Sequence, residues 1–274
     1  MLVGDLLQLP PVLGHHVFRE PKNEKLRAAY NELDKPLWEE FQPMILRHNH
    51  RQGKSKQWAE TLNRIRVGIL TTKDEAILRE RITNQKLLHE DALHTFYRNI
   101  NVSLHNIEML NELIGKLLSA KAINVLPKGH TKPFIDEGKG TIGKTEFMDD
   151  FEFKIGARCM MIYNVDLMDD IFNGASGTII GVEFDKKELV KCIIVQFDNP
   201  SWGKNQREKD RSGYAKKYES QNGTPIYRYV HEYQLSGRYR KYGHAARGKL
   251  YQFPLRLNYA STSHKLQVRF LKRK

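Results

Sequence analysis

Helical stripes alternate with short apolar runs through the first half of the chain, which predicts an α/β layer architecture. One helix is predicted between Ser55, a favoured N-cap residue, and Gly68, a favoured terminating residue. Its apolar face consists of three residues at helical spacing: Trp58, Leu62 and Ile65. A capping box of Thr72 with Glu75 predicts the start of a second helix. Its apolar positions are Ile77, Leu78 and Ile82.

Short strand candidates lie beside these helices. Residues 2–5 have the pattern of a buried strand cut off at its start, so we expect the chain to begin within a domain. Residues 44–46 are strand-like, and residues 93–97 form another short strand candidate. A third and longer helix is predicted after them from five apolar positions: Leu104, Ile107, Leu113, Ile114 and Leu117.

The pattern becomes β-type in the second half of the chain. The runs 158–163, 177–184 and 190–197 are strand-like, and the charged turn 185–188 joins the last two. They predict a small antiparallel β module inserted in an α/β chain. Residues 253–257, followed by 258–260, are predicted to return the chain to the α/β sheet.

Composition narrows the class of protein. Hydrophobic residues make up 40% and charged residues 28% of the chain, which is typical of a soluble globular protein. The sequence contains neither an apolar run of about 18 residues nor the basic leader of a signal peptide. Cys159 and Cys192 each lie in an apolar run, which predicts buried, reduced thiols in an intracellular protein.

Positive charge predicts a polyanionic partner. The net charge is +13 and the pI is about 9.6, which favours binding to phosphates but does not choose between DNA, RNA and a membrane surface. Twelve Lys or Arg, four Asp or Glu and seven of the twelve Tyr lie between Lys204 and Lys249. This stretch is either a single-strand binding surface, with Arg238, Arg240 and Lys241 as phosphate contacts, or a solvated, partly disordered insertion.

Four sequence blocks occur in a set order. They are GDLLQLPPV at 4–12, NHRQ at 49–52 with LNRIRVG at 62–68, FKIGARCMM at 153–161 leading to NGASG at 173–177, and FPLRL at 253–257 continuing to Gln267. Together they resemble the Pif-like DNA helicases, including those of Helitron-type transposons. The resemblance covers nearly the whole chain and is weakest in the tyrosine-rich stretch.

The resemblance implies partial RecA-like domains of the P-loop helicase fold with an inserted small all-β barrel. Residues 1–40 would be the end of the first RecA-like domain and 41–130 the first part of the second. Residues 131–150 would be a loop, 151–250 the barrel with the basic stretch, and 251–274 a return to the second RecA-like domain. The phosphate loop and the magnesium-binding motif of the first domain would lie before Met1.

The resemblance also implies residues that contact ATP. Gln8 would sense the γ-phosphate, with Asp5 as its partner in the motif, and Arg51 would be the arginine finger of the second domain. A planar, permanent cation suits the charge that develops on a transferring phosphoryl group. Without the family match, Arg51 would be interpreted as a surface arginine. The implied cofactors are ATP and Mg²⁺, and no other metal site is expected from the chain's histidines.

Thr262, His264 and Lys265 match the family's block beside the bound DNA strand, where they would donate to phosphate oxygens. The sequence departs from the family pattern directly afterwards. Val268 stands where the family has glycine, and the family's later arginine motif does not follow before Lys274.

The segment 138–145 satisfies the phosphate-loop pattern of glycine, four residues and Gly-Lys-Thr. A phosphate loop needs a buried strand before it and a helix after it. Residues 132–137 make a poor buried strand, so we expect a flexible loop that leads into the β module rather than a nucleotide site.

The leading interpretation is a fragment of a Pif-like, ATP-dependent DNA helicase that translocates on single-stranded DNA and does not hydrolyse ATP alone. A separate chain or a further segment would supply the first RecA-like domain. The resemblance implies DNA repair, recombination and telomere maintenance, in the nucleus or the mitochondrion. A second interpretation is a non-enzymatic nucleic-acid-binding module, and a third is an autonomous ATPase that uses Lys144.

Overall fold

The computed structural model describes residues 18–19, 27, 37–45, 55–82, 92–126, 135–136, 141–142, 147–234 and 247–263. The chain divides into two compact units, Met1–Glu90 and Asp91–Lys274. No helix in these described ranges is long and apolar enough to cross a membrane. The five-segment domain plan drawn from the sequence stays a prediction.

The first unit contains the helices α1 (Lys56–Val67) and α2 (Thr72–Arg79), preceded by a 3-10 turn at Leu37–Glu40. The predicted terminator of α1 is confirmed, because Gly68 adopts the left-handed conformation with φ 75°. Ser55 precedes α1 as predicted, but its side chain makes no capping hydrogen bond. The predicted apolar face is incomplete, because Ile65 is 37% exposed.

The capping box of α2 lies one residue earlier than predicted. Thr71, not Thr72, is the N-cap, because its backbone is still extended at φ −97° and ψ 162°. Its hydroxyl accepts from the amide of Asp74, whose carboxylate accepts in turn from the amide of Thr71. Glu75 therefore takes no part in the box. Ile82 lies beyond the end of α2 at Arg79.

In its described residues, the second unit has three α-helices, two short 3-10 turns and fourteen strands. In chain order its elements are β1 (His94–Phe96), α3 (Asn99–Glu112), β2 (Leu118–Lys121), β3 (Ile123–Val125), β4 (Ile135–Asp136), β5 (Thr141–Ile142), β6 (Asp150–Phe153), β7 (Arg158–Met161), β8 (Ser176–Phe184), β9 (Val190–Phe197), α4 (Lys204–Glu208), α5 (Tyr214–Lys217), β10 (Gly223–Ile226), β11 (Tyr229–Gln234), β12 (Arg247–Gln252), β13 (Leu255–Leu257) and β14 (Ala260–Thr262).

The strands form one large antiparallel sheet and four small sheets. The large sheet has the order β10-β9-β8-β7-β13, and a second antiparallel sheet has the order β11-β12-β3. The pairs β2-β6 and β4-β5 are antiparallel, whereas β1-β14 is parallel. The main core lies against the large sheet and includes Phe153, Met161, Ile179, Ile193 and Phe253.

The predicted β runs are confirmed in β7, β8 and β9. The first run is shorter than predicted, since β7 ends at Met161. In the turn between β8 and β9, a carboxylate oxygen of Asp185 accepts from the amides of Lys187 and Leu189. Cys159 and Cys192 are buried and free of any disulfide, as predicted, and burial raises the pKa of each thiol to about 12.

Two predictions about this unit are wrong in their boundaries. The third helix ends at Glu112, and its apolar positions Leu104 and Ile107 are 53% and 52% exposed, because α3 buries another face. Leu255–Leu257 does not return to the α/β layer, since β13 pairs antiparallel with β7. The chain returns only at Ala260–Thr262.

The described part of the basic stretch, Lys204–Gln234, is folded rather than disordered. It forms α4, α5, β10 and β11, and it is tied to the large sheet by ordered contacts. The Arg207 guanidinium donates to the backbone oxygens of Pro200 and Trp202 and to the Thr224 hydroxyl. Arg207 is therefore a structural cation.

Candidate nucleic-acid interface

A parallel strand pair forms the frame of the candidate site. β1 and β14 pair from His94 opposite Ala260 to Phe96 opposite Thr262, and α3 packs on both strands. Because the strands are parallel, both reach the same edge at their carboxyl ends. The chain therefore leaves β1 at Tyr97 and β14 at Ser263 on one edge, the position where α/β sheets bind ligands. We call it the carboxyl edge.

A buried asparagine holds β14 against α3. Asn106 is 6% exposed, and its side-chain oxygen accepts hydrogen bonds from the amides of Tyr259 and Ala260, each at 2.9 Å. The Tyr259 hydroxyl accepts from the amide of Arg158 at 3.2 Å, which links this segment to β7. Burial raises the pKa of the Tyr259 hydroxyl. These bonds hold the start of β14 in place.

Thr262 is the only residue predicted to contact nucleic acid that lies in the described part of the chain. It is the last residue of β14 and is 8% exposed, and the exposed Ser263 follows it. Thr262 therefore reaches the carboxyl edge, but most of its side chain is covered. Hydroxyl groups at such a position donate to phosphate oxygens.

Two exposed residues at the same edge were not predicted from the sequence. Tyr97 is 91% exposed, and Arg98, also exposed, directly precedes α3. Within the described ranges, neither side chain has a hydrogen-bond, ion-pair or ring partner. An aromatic face stacks on bases and a guanidinium binds phosphates. The pairing of β1 with a strand far away in sequence would have identified them, but local periodicity does not reveal that pairing.

Two histidines of this region pack against each other and are not part of the proposed binding surface. The rings of His94 and His105 lie 4.2 Å apart between centroids, and the Phe96 ring lies 5.5 Å from His105. Burial, and next the proximity of His105, lowers the pKa of His94. The buried Nε2 of His105 has no hydrogen-bond partner in the described structure. Because His94 favours its neutral form, it packs rather than binds phosphate.

Most of the predicted site residues lie outside the described residues. These are Asp5, Gln8 and Arg51 for ATP, and Arg238, Arg240, Lys241, His264 and Lys265 for nucleic acid. Their roles stay predictions. In the described ranges, no group of three or more His, Cys, Asp or Glu is placed to hold a metal ion.

The segment 138–145 lies partly in a short hairpin. β4 pairs antiparallel with β5, with Ile135 opposite Ile142 and Asp136 opposite Thr141. Thr141–Ile142 therefore runs extended, whereas the residues of a phosphate loop curl around the anion towards a following helix. Lys144 lies outside the described residues.

Comparison with known proteins shows which proteins the chain resembles. No protein-family profile matches the chain. The ATP-dependent DNA helicase PIF7 of Trypanosoma brucei brucei is 28% identical over 225 residues, 73% of this chain and 21% of that protein. The ATP-dependent DNA helicase Pif1 of Campylobacter jejuni is 26% identical over 273 residues, 97% of this chain and 54% of that protein. The chain is similar in sequence to Pif-like DNA helicases.

Solved Pif1 helicases share the fold of this chain. Bacteroides Pif1 bound to single-stranded DNA superposes with a TM-score of 0.60 at 20% identity, over 98% of this chain and 54% of that one. Pif1 of Candida albicans superposes with a TM-score of 0.54 at 16% identity, over 82% and 48%. The predicted family resemblance and mixed α/β helicase fold are confirmed. The chain spans about half the length of these structures.

Proposed function

We propose that this Pif-like chain is part of an ATP-dependent DNA helicase and binds single-stranded DNA at the carboxyl edge. The observation that carries the proposal is the exposure of Tyr97 and Arg98 beside Thr262, where β1 and β14 end together. Bacteroides Pif1, which shares the fold, has been solved with single-stranded DNA.

The residue types at this edge suit a DNA strand. Arg98 supplies a permanent cation for a phosphate, and Tyr97 supplies a ring on which a base stacks irrespective of its identity. Thr262 and Ser263 supply hydroxyl donors, and His264 with Lys265 extends the same run along the sequence. Such a combination binds the backbone and the bases without selecting a sequence.

The large antiparallel sheet is proposed to form the inserted small barrel, which would grip or part the strands. A register shift in β8 between Ile179 and Gly181 supports this, because a bulge bends a strand as closure of a small barrel requires. β6 also contributes Phe151 and Phe153 to the same core.

Use of ATP with Mg²⁺ is proposed from the family, with Gln8 as the γ-phosphate sensor, Asp5 as its partner and Arg51 as the arginine finger. We propose that the chain does not hydrolyse ATP alone, and that a further segment or a separate chain supplies the phosphate loop. The extended pairing of Thr141–Ile142 speaks against an autonomous ATPase that uses Lys144. A nuclear or mitochondrial location remains a proposal.

Binding of a labelled single strand to the full chain tests the proposed interface. We expect Tyr97→Ala to weaken binding about tenfold, because stacking on one base contributes roughly 1–3 kcal/mol. Arg98→Ala should lower the slope of log K against log salt concentration by about 0.7 in magnitude, since one phosphate contact is lost. Fluorescence anisotropy over a range of salt concentrations measures both effects.

Lys116→Ala is the matched control for Arg98→Ala. Lys116 is exposed and lies beyond the opposite end of α3, a helix of 14 residues. The Lys116→Ala substitution removes the same charge about 21 Å from the carboxyl edge. Equal losses in the two variants would mean that general charge binds the DNA, and would refute the proposed interface.

A further inference from the structure

A polar pocket lies beside α4 and the residues that follow it, apart from the carboxyl edge. Its volume is about 540 Å³, and it is lined by Asn205, Lys209, Asp210, Arg211, Tyr227 and Asp166 among others. This volume lies in the range of small-molecule sites. The pocket belongs to the folded part of the basic stretch, so its groups are held by secondary structure.

An aromatic ring is fixed in this pocket. The Tyr227 hydroxyl lies 3.0 Å from the hydroxyl of Ser212 and donates to a carboxylate oxygen of Asp210 at 3.2 Å. Tyr227 is nevertheless 38% exposed. Burial raises the pKa of its hydroxyl to about 12, so the group stays a protonated donor at neutral pH. A ring held by its hydroxyl presents a face at little entropic cost.

Two exposed cations line the same pocket as the ring. Lys209 and Arg211 are exposed, and within the described ranges their side chains have no carboxylate partner. The pocket also contains two carboxylates. Asp210 accepts from the Ser212 hydroxyl at 2.6 Å and the Ala215 amide at 2.8 Å. One Asp166 oxygen accepts from the amides of Met168 and Asp169.

The pocket does not provide the usual cradle for a free nucleotide. In the first turn of α4, the amides of Asn205 and Gln206 both donate to the Asp169 carboxylate at 2.8 Å. A triphosphate would have to displace this buried carboxylate. Lys209 and Arg211 instead offer separate point contacts, which suit the spaced single charges of a phosphodiester chain. The exposed Asn205 side chain adds a hydrogen-bonding group for a base edge.

We propose that this pocket binds one nucleotide unit of a single nucleic-acid strand, with the base on Tyr227 and the flanking phosphates on Lys209 and Arg211. It is a second contact of the chain with nucleic acid, separate from the carboxyl edge. The proposal shares with the proposed function only the class of partner. An acidic peptide would bind Lys209 and Arg211 but would have no base to stack on the Tyr227 ring.

Photo-crosslinking with the full chain tests the proposal. A single strand of about 20 nucleotides that carries 5-iododeoxyuridine is irradiated with the protein, and mass spectrometry locates the attached peptides. We expect a crosslink at Tyr227. Tyr227→Phe should retain the crosslink, and Tyr227→Ala should lose it and weaken binding about tenfold.

The cations are tested by the salt dependence of binding. Lys209→Ala with Arg211→Ala should lower the slope of log K against log salt concentration by about 1.4 in magnitude, or about 0.7 for each lost phosphate contact. Lys186→Ala with Lys187→Ala removes the same charge from the exposed turn between β8 and β9 and should leave the slope unchanged. Thermal unfolding checks that each variant is folded, and the cation variant leaves Tyr227 and its hydrogen bonds in place.

Several outcomes would overturn the proposal. Equal changes in the salt dependence of binding in the two double variants would mean that general positive charge, not the pocket, binds the strand. Crosslinks at Tyr97 without any at Tyr227 would refute the pocket and leave the carboxyl edge standing. Crosslinks at Tyr227 that survive Tyr97→Ala would support the pocket even if the carboxyl edge failed. Competition by a mononucleotide as strong as that by the strand would assign the pocket to free nucleotides instead.

Discussion

Individual buried polar side chains hold the first unit together. Thr61 and Asp74 are both fully buried, and the Asp74 carboxylate accepts from the Thr61 hydroxyl at 2.6 Å. It also accepts from Nε and Nη2 of Arg64 at 2.6 and 2.7 Å. Apolar periodicity predicted that α1 exists but not that a polar cluster joins it to α2. Two adjacent threonines are equivalent as caps in the sequence, and this cluster selects Thr71.

Asp74→Asn is expected to lower the melting temperature at neutral pH. The Arg64 and Thr61 hydrogen bonds hold the pKa of Asp74 far below its usual range. A depressed pKa in the folded state stabilises the protein above the unfolded pKa of about 4, and this stabilisation is lost as the pH falls towards the folded pKa. The difference between the two proteins should therefore shrink below about pH 4. Thermal unfolding at several pH values measures it.

Glu75→Gln is the control for Asp74→Asn, because it removes the same charge from the next residue of α2, which is exposed. It should change the melting temperature little at any pH. If Glu75→Gln were the more destabilising substitution, the cap would begin at Thr72, as the sequence pattern predicted, and the assignment of Thr71 would be wrong.

The long antiparallel strands were predictable from sequence because each contains its own signal. β8 and β9 are apolar, β-branched runs on either side of a charged turn, and their pairing is local. The parallel pair β1-β14 has no such signal, since its strands are three residues each and lie far apart in the sequence. The candidate site depends on this pair, so Thr262 was predicted only through the family resemblance and Tyr97 with Arg98 was missed.

Asn106 on α3 is expected to determine the position of β14. Asn106→Ala leaves the amides of Tyr259 and Ala260 without their acceptor, which should cost about 3 kcal/mol of unfolding free energy. Because Thr262 follows on the same strand, single-strand binding should also weaken. Urea unfolding and anisotropy measure the two effects.

Asn111→Ala provides the comparison for Asn106→Ala. Asn111 lies on the same helix, is exposed, and contributes its backbone oxygen rather than its side chain to the contact with Lys154. It should alter neither stability nor binding appreciably. A loss of stability in Asn106→Ala without any loss of binding would show that the position of β14 does not matter for the DNA strand.

The whole chain combines two kinds of affinity for a polyanion. Its net charge of +13 attracts any anionic polymer, whereas the exposed Tyr97 and Tyr227 rings favour one that carries bases. Other cations are already committed to the fold, as Arg158 is by its pairing with Asp198 at 2.7 Å. The net charge therefore overstates how many cations are available to bind a polyanion. Comparing polymers with and without bases separates the attraction between charges from stacking on the rings.

We expect single-stranded DNA to bind the full chain more tightly than polyglutamate of equal charge at low salt, because stacking on the two rings adds to the attraction between charges. Near 1 M salt, where the Debye length is about 3 Å, attraction between separated charges is largely screened. Stacking on the tyrosines is not screened, so DNA binding should persist while polyglutamate dissociates. Tyr97→Ala with Tyr227→Ala should abolish this difference and leave the low-salt affinities nearly equal. If both polymers dissociated together from the unaltered chain, the rings would contribute nothing and the chain would bind DNA by charge alone.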